Sequence, residues 1–494
     1  MTVTCIHKAA WVIGWDAAAG RHVYRNDIDL AFENDRIIHV GKDYRGRVDR
    51  TIDGSSVCVM PGLVNVHTHL CSECIGRGLI EELGNPDLYM SGIFDSKKPY
   101  VLSKLSDACG GNEAQLKANR AATNMAISEL LLSGATTVVD LGPQYEGWLD
   151  NLAATGIRAY VGPMFREAEW SVPTGASLEY RWDRKRGRES FEAALQVVDS
   201  ARSHRCGRLD GIIAPSQVDT CTAELLREAL GAAKARRMKM TVHCSQGVVE
   251  FQEMVRRHGM TPVQWMHSEG LLGPHTLLGH AIFLDHHSWT QWWTRKDLPL
   301  LAERGTSVAH CPTVFSRYGQ MMEGVGHYIR SGVNVGIGTD TEPHNMLEEL
   351  RTATILGKAA ARSVQGVWLS EIFHAATIGG ANALGRNDIG RLAPDAKADI
   401  VLLDLNQPMM RPLRDPLRSV VFSAADRAVQ SVFVDGRQVV AAGEVSTIDR
   451  RQNALEMQEV QEGYIRNTPY ADFQKRSVDA LAPMSLPVHA EAAT

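Results

Sequence analysis

His67-Thr68-His69 closes the apolar run MPGLVNVHTH. Side chains alternate along an extended chain, so both imidazoles point to one side with Thr68 opposed, which suits two nitrogen ligands on one metal ion. A lone His-x-His is a weak signal, and a pair of ordinary polar residues at a strand end explains many such matches. Its company strengthens it: His243 ends TVHCS, His280 lies in LLGHAIF and Asp340 ends GIGTD. Three imidazoles and one carboxylate suit zinc or another borderline divalent ion, with a position left for water whose pKa falls toward 7. Asp340 would take that water's proton and pass it to the leaving group, and His280 would orient the nucleophile or polarise the bond under attack.

Eight short apolar runs with intervening helical stretches are needed to bring these residues together. They end near His69, Gly142, Phe165, Ser216, Ser245, Leu284, Pro312 and Asp340. Eight parallel strands alternating with helices is the count for a (β/α)8 barrel, an α/β fold whose active site lies at the C-terminal strand ends. Before the barrel, residues 1–60 read as period-2 strands and hairpins, and the texture returns in ADIVLLDL and in VFVDGRQVV with its Asp-Gly turn. The expected organisation is a small composite β-sandwich from 1–60 plus 395–445, a catalytic TIM-like barrel over 61–394, and a helical extension with a loosely ordered tail over 446–494.

Composition narrows the partners. The 494 residues are 44% hydrophobic and 22% charged, with a net charge of −5, so no basic field draws the chain to nucleic acid or an anionic membrane. No run approaches the roughly 20 apolar residues of a membrane span, and the N-terminus lacks the cationic and hydrophobic regions of a signal peptide, so the expected place is the cytoplasm. Nine cysteines spread over so long a chain do not read as a disulfide framework. Cys71-Ser-Glu-Cys74 has no second pair at zinc-site spacing and reads as loop packing.

The segments PGLVNVHTH, TVHCSQ, LLGHAIFLDH, VAHCPTVFS, GIGTDTEPHNMLEELR, ATIGGANALG, IGRLAPDAKADIVLLDL and VFVDGRQV resemble, in order from about residue 55 to 445, the amidohydrolase superfamily. Within it they are similar to the branch of atrazine chlorohydrolases, S-adenosylhomocysteine deaminases and guanine deaminases. The resemblance implies a metal-dependent hydrolase with ligands His67, His69, His243 and Asp340 and a catalytic His280. Binuclear members carry a bridging Lys or Glu at the end of strand four. GIIAPSQ has neither, which implies one divalent ion per chain, zinc before iron, manganese or cobalt.

One departure matters. Deaminases of this branch carry His-x-x-Glu after strand five, and here the run is His243-Cys244-Ser245-Gln246. An amide has no proton to exchange near pH 7, so Gln246 positions substrate by hydrogen bonding and does not act as acid or base. Glu250, one turn on, either substitutes for the missing Glu or sits on a solvated helix face, the more usual place for such a residue. Candidates to line the pocket are Glu73, Trp148, Trp170, Phe315 and His344, joined by Phe165, Tyr180 and Tyr318 in the loops after strands three and seven; His310 and Cys311 fall in a family segment that shapes the pocket. The expectation is hydrolysis of a non-peptide carbon–nitrogen bond, of amide, urea or carbamate type, in a small aromatic or N-heterocyclic compound. The alternative is a deaminase or dechlorinase of a nitrogen ring, and a non-catalytic barrel that binds a ligand is a third reading. The resemblance implies a homodimer or larger homo-oligomer, with the C-terminal helix as an interface.

Overall fold

The computed structural model describes residues 2–71, 73–79, 111–171 and 178–488. Eight strands form one parallel sheet: β1 (Leu63–Thr68), β2 (Ala135–Asp140), β3 (Arg158–Val161), β4 (Leu209–Gly211), β5 (Met240–Cys244), β6 (Thr276–His280), β7 (Ser307–His310) and β8 (Val335–Ile337). Their order is β4-β3-β2-β1-β8-β7-β6-β5. Bridges Ile213↔Met240 and Gln217↔His243 join the two edges and close the barrel. Every residue of β1, β2 and β5 is buried, as expected for strands flanked by helices outside and packed side chains inside. Val64, Val66, Val139, Leu141, Ile212, Leu277 and Ala309 belong to one buried cluster. Residues from strands on all sides meet only in the barrel interior, so the barrel is a filled core.

Two features depart from the expected strands. The sixth ends at His280 and does not run to Leu284, because His280 (φ 76°) and Ala281 (φ 47°) take left-handed backbone and turn the chain. Beyond β3 and β4, Met164–Phe165 and Ala214–Pro215 form a separate two-stranded ladder.

A second body of β structure joins the chain ends. Its four-stranded sheet runs Arg36–Gly41, Ile28–Glu33, Val3–Ala9, Arg50–Asp53, and its seven-stranded sheet sets Ile400–Asp404 against Val57–Pro61 with Ile400 opposite Pro61. Ile6, Leu30, Phe32, Val59, Leu402 and Phe433 share the core of this body.

Four helices bear on the argument: α1 (Gly111–Leu132), α2 (Val248–His258), α3 (Met346–Ala360) and α4 (Arg450–Ala471). The C-terminal extension is packed as far as Ala482. Helix α4 lies against α1, with Asn124 donating to Asn453 and Lys117 paired to Glu459, and Val478 and Leu481 beyond it pack with Leu79. Burial of Met457 and Tyr464 turns one face of α4 onto its own chain. No described helix is long and apolar enough to cross a membrane.

Candidate metal centre

The strand ends bring His67, His69, His243 and Asp340 to one point, with one ligand atom from each lying within 4.8 Å of all the others. Asp340 Oδ1 stands 3.4 Å from His67 Nε2 and 3.3 Å from His69 Nε2, and the Nε2 atoms of His69 and His243 are 3.3 Å apart. Backbone pairing sets this geometry: Asp340 donates its N–H to His67 O and its carbonyl accepts from His69 N. Asn65, fully buried, sews β1 to the segment after β8, since its Oδ1 accepts from His67 N and Thr339 N while its Nδ2 donates to Thr339 Oγ1. Two glycines make room. A Cβ on Gly279 would lie 2.9 Å from His67 Cε1, and one on Gly338 2.7 Å from His67 O.

The tautomers follow from the second nitrogens. His69 Nδ1 donates to Leu141 O and His243 Nδ1 to Ser216 O, each at 2.5 Å, so each ring turns its Nε2 toward the cluster. Burial, then His67, His280 and His69, holds His243 well below the ordinary histidine range, and burial takes His280 down to about 3. Burial alone would raise Asp340, but His280, His67 and His69 hold it well below the carboxylate range. At neutral pH His67, His243 and His280 are neutral imidazoles beside one carboxylate. His67 is fully buried, and neither ring nitrogen has a hydrogen-bond partner among the described residues. Unpartnered buried nitrogens beside a carboxylate fit a divalent cation.

The other sequence candidates divide. The His280 ring packs 4.6 Å from those of His67 and Phe315, so His280 and Phe315 border the cluster. Gln246 follows β5 half-buried, and its side chain bonds to no described residue. Trp148 is not at the mouth: it is 2% exposed in the main core, with its indole N–H donating to Asp140. The Trp170 indole N–H donates to Asp219, which Tyr180 OH also reaches. His344 is fully buried, with Nδ1 between the hydroxyls of Thr68 and Thr339, so it braces the β1–β8 seam. Glu73 opens the turn Glu73–Gly76, and its side chain lies outside the described residues. His310 is buried and drawn down to about 4 by that burial.

Two acidic residues hold unexpected places. Asp140, ending β2, accepts from Trp148 and from Leu70 N, and burial raises it to about 6. A carboxylate at a barrel strand's C-terminal end was the available signal for it. Glu250 is not on a solvated face: it is fully buried and accepts from Ser245 N and Gln246 N.

Relatives agree with this geometry. The amidohydrolase family model matches residues 58–439. A 5'-deoxyadenosine deaminase of Methanothermobacter thermautotrophicus is 28% identical over 430 residues, covering 85% of this chain and 91% of that protein. A 5-methylthioadenosine/S-adenosylhomocysteine deaminase of Natronomonas pharaonis is 29% identical over 429 residues, covering 86% and 90%. Among solved structures, atrazine chlorohydrolase from Arthrobacter aurescens TC1 complexed with zinc superimposes with TM-score 0.76 at 22% identity, over 93% of this chain and 100% of that one. An adenosine deaminase from Xanthomonas campestris with bound zinc does so with TM-score 0.74 at 24% identity, over 93% and 98%. With a filled eight-stranded barrel, a divalent-metal donor set at its C-terminal mouth and a family match over most of its length, the chain belongs to the amidohydrolase family, and it is a metal-dependent hydrolase of carbon–nitrogen bonds.

Proposed function

We propose that His67, His69, His243 and Asp340 hold one zinc ion per chain, and that the enzyme hydrolyses a non-peptide carbon–nitrogen bond of a small aromatic or N-heterocyclic compound, of amide, urea or carbamate type. The bound ion supplies Lewis acidity and lowers the pKa of water in its coordination sphere. Asp340, kept ionised by the surrounding imidazoles, accepts the proton of the attacking water at its carboxylate and returns it to the leaving nitrogen. His280, neutral at pH 7, aligns the reacting group, and Gln246 offers amide hydrogen bonds to the substrate. Phe315 supplies an apolar wall beside His280.

The observation that carries this bond class is the proton inventory beside β5. Gln246 replaces an acid, and the nearest substitute, Glu250, is sealed with both oxygens on backbone amides. Attack on a purine-like ring calls for ring-nitrogen protonation, whereas an acyl or carbamoyl carbon needs only Asp340. A second reading, deamination of an N-heterocycle, is favoured by the names of the relatives that match most of the chain.

Product analysis separates them. Purified, zinc-loaded protein is offered aryl ureas, anilides, carbamates and amino- and chloro-heterocycles. Release of an amine with an acid or carbon dioxide supports the first reading, ammonia the second, and chloride a dechlorinase. A homodimer or larger assembly fits this proposal, with sedimentation as its check.

A further inference from the structure

Helix α2 takes Gly247 as its N-cap, which puts Glu250 at the third helical position. A glutamate there ordinarily reaches back to the N-cap amide. Glu250 reaches further: Oε1 accepts from Ser245 N at 2.6 Å and Oε2 from Gln246 N at 3.0 Å. The stretch it holds also grips the segment after His280. Cys244 O accepts from Ala281 N at 3.0 Å, and Ser245 O accepts from both Ile282 N and Phe283 N at 2.9 Å. Ser245 sits in left-handed backbone at φ 55°, and His280 and Ala281 are left-handed as well. These conformations are strained and persist only where neighbouring bonds over-determine them.

We propose that Glu250 is a positioning residue of this hydrolase: by fixing the Ser245 and Gln246 amides, it sets Gln246 and the turn after His280 in place relative to His243. This rests on the metal-hydrolase reading of the site. Both carboxylate oxygens are taken by backbone amides and the side chain has no exposed surface, so the task assigned to it is geometric. A glutamine at 250 would offer one acceptor oxygen to two amides and turn an NH2 toward one of them. The loop would then shift, and misplacement by about 1 Å is enough to lower turnover about 100-fold.

The test uses full-length protein, Glu250→Gln and Glu250→Asp. Amide hydrogen exchange needs no substrate: in Glu250→Gln, protection falls together at 245–246 and 281–283 while 240–242 stays protected. Unchanged exchange at 281–283 overturns the linkage, whatever the enzyme hydrolyses. In turnover, kcat falls about 10- to 100-fold with metal content unchanged, both limbs of the pH profile stay in place, and Glu250→Asp recovers part of the loss. Adding Gln246→Ala then costs less than it does in the wild type, because the two act as a unit. Wild-type kcat in both variants, additive effects, or loss of one pH limb with rescue by formate would each overturn the proposal. Should Glu250→Gln fail to fold, Glu250→Asp carries the same measurements.

Discussion

At the N-terminal mouth of the barrel Arg158, the first residue of β3, is 3% exposed, with its guanidinium committed to carboxylates. Its Nε and Nη2 donate to Asp399, Nη2 also to Asp435, and Asp399 takes the Asp435 amide as well. At the C-terminal mouth the pattern reverses. His67 Nδ1 and Nε2, His280 Nδ1 and His344 Nε2 are buried without hydrogen-bond partners among the described residues, and Ser245, His280, Ala281 and Asp340 are left-handed. An unsatisfied buried polar group costs about 1–3 kcal/mol. One end of the barrel is therefore built to hold the β body to the barrel, while the other keeps nitrogens free for a cation. The same fold serves both because the C-terminal strand ends of such a barrel carry the chemistry and the N-terminal face its stability.

The contrast is broken most sharply by Asp340→Asn, which keeps the shape of the C-terminal mouth and removes its base. We expect kcat to fall by at least about 1000-fold with the folded state retained, measured by steady-state kinetics beside circular dichroism. Arg158→Met acts on the opposite end. It leaves Asp399 without its guanidinium while Asp435 keeps Lys397 at 3.3 Å, and unfolding free energy should drop by about 3–5 kcal/mol while metal content and kcat of the folded fraction stay put. Equal damage to stability from both variants would dissolve the division of labour.

Trp148→Phe sharpens the comparison. It removes the indole donor from Asp140, whose other oxygen holds the Leu70 amide next to His69. The expected cost is about 1–3 kcal/mol in stability, with KM unchanged because the ring is core and not pocket wall. A selective rise in KM would return Trp148 to the substrate.

The smallest effect concerns Asp297, buried at the start of the helix Asp297–Arg304 and raised to about 7 by burial and then by Asp285. Folded protein keeps this proton up to about pH 7, whereas the unfolded chain releases it near 3.8, the ordinary aspartate value. The unfolded state thus binds fewer protons in that window, and stability falls as pH rises from 4 to 7, by about 1.4 kcal/mol per unit at most. Asp297→Asn should flatten that slope in thermal melts. An unchanged slope would assign the pH dependence to other groups.

Much of this was legible in the sequence. The barrel announces itself because buried parallel strands are continuous apolar runs, and the metal cluster because histidines and an aspartate end those runs. Depth was harder to read. Trp148 and Trp170 follow strands two and three, as mouth residues do, but order along the chain does not tell whether a ring faces the pocket or a buried aspartate. Glu250 looks like any helix-surface glutamate, since its partners are backbone amides, which leave no mark on the sequence. The left-handed turn at His280 and Ala281 was hidden for a related reason: neither is glycine, and tertiary bonds impose the conformation. The C-terminal segment reads as a helical extension with a tail, and nothing in its sequence marks the contact of α4 with α1.

The most direct measurement is metal per chain by plasma mass spectrometry, on wild type and on His67→Ala and His243→Ala, after loading with zinc and removal of free ion. Wild-type chains should carry about one zinc each, both variants should lose most of it, and folding should change little. A wild-type protein that stays metal-free after loading, or variants that hold zinc as well as the wild type, would contradict the metal assignment.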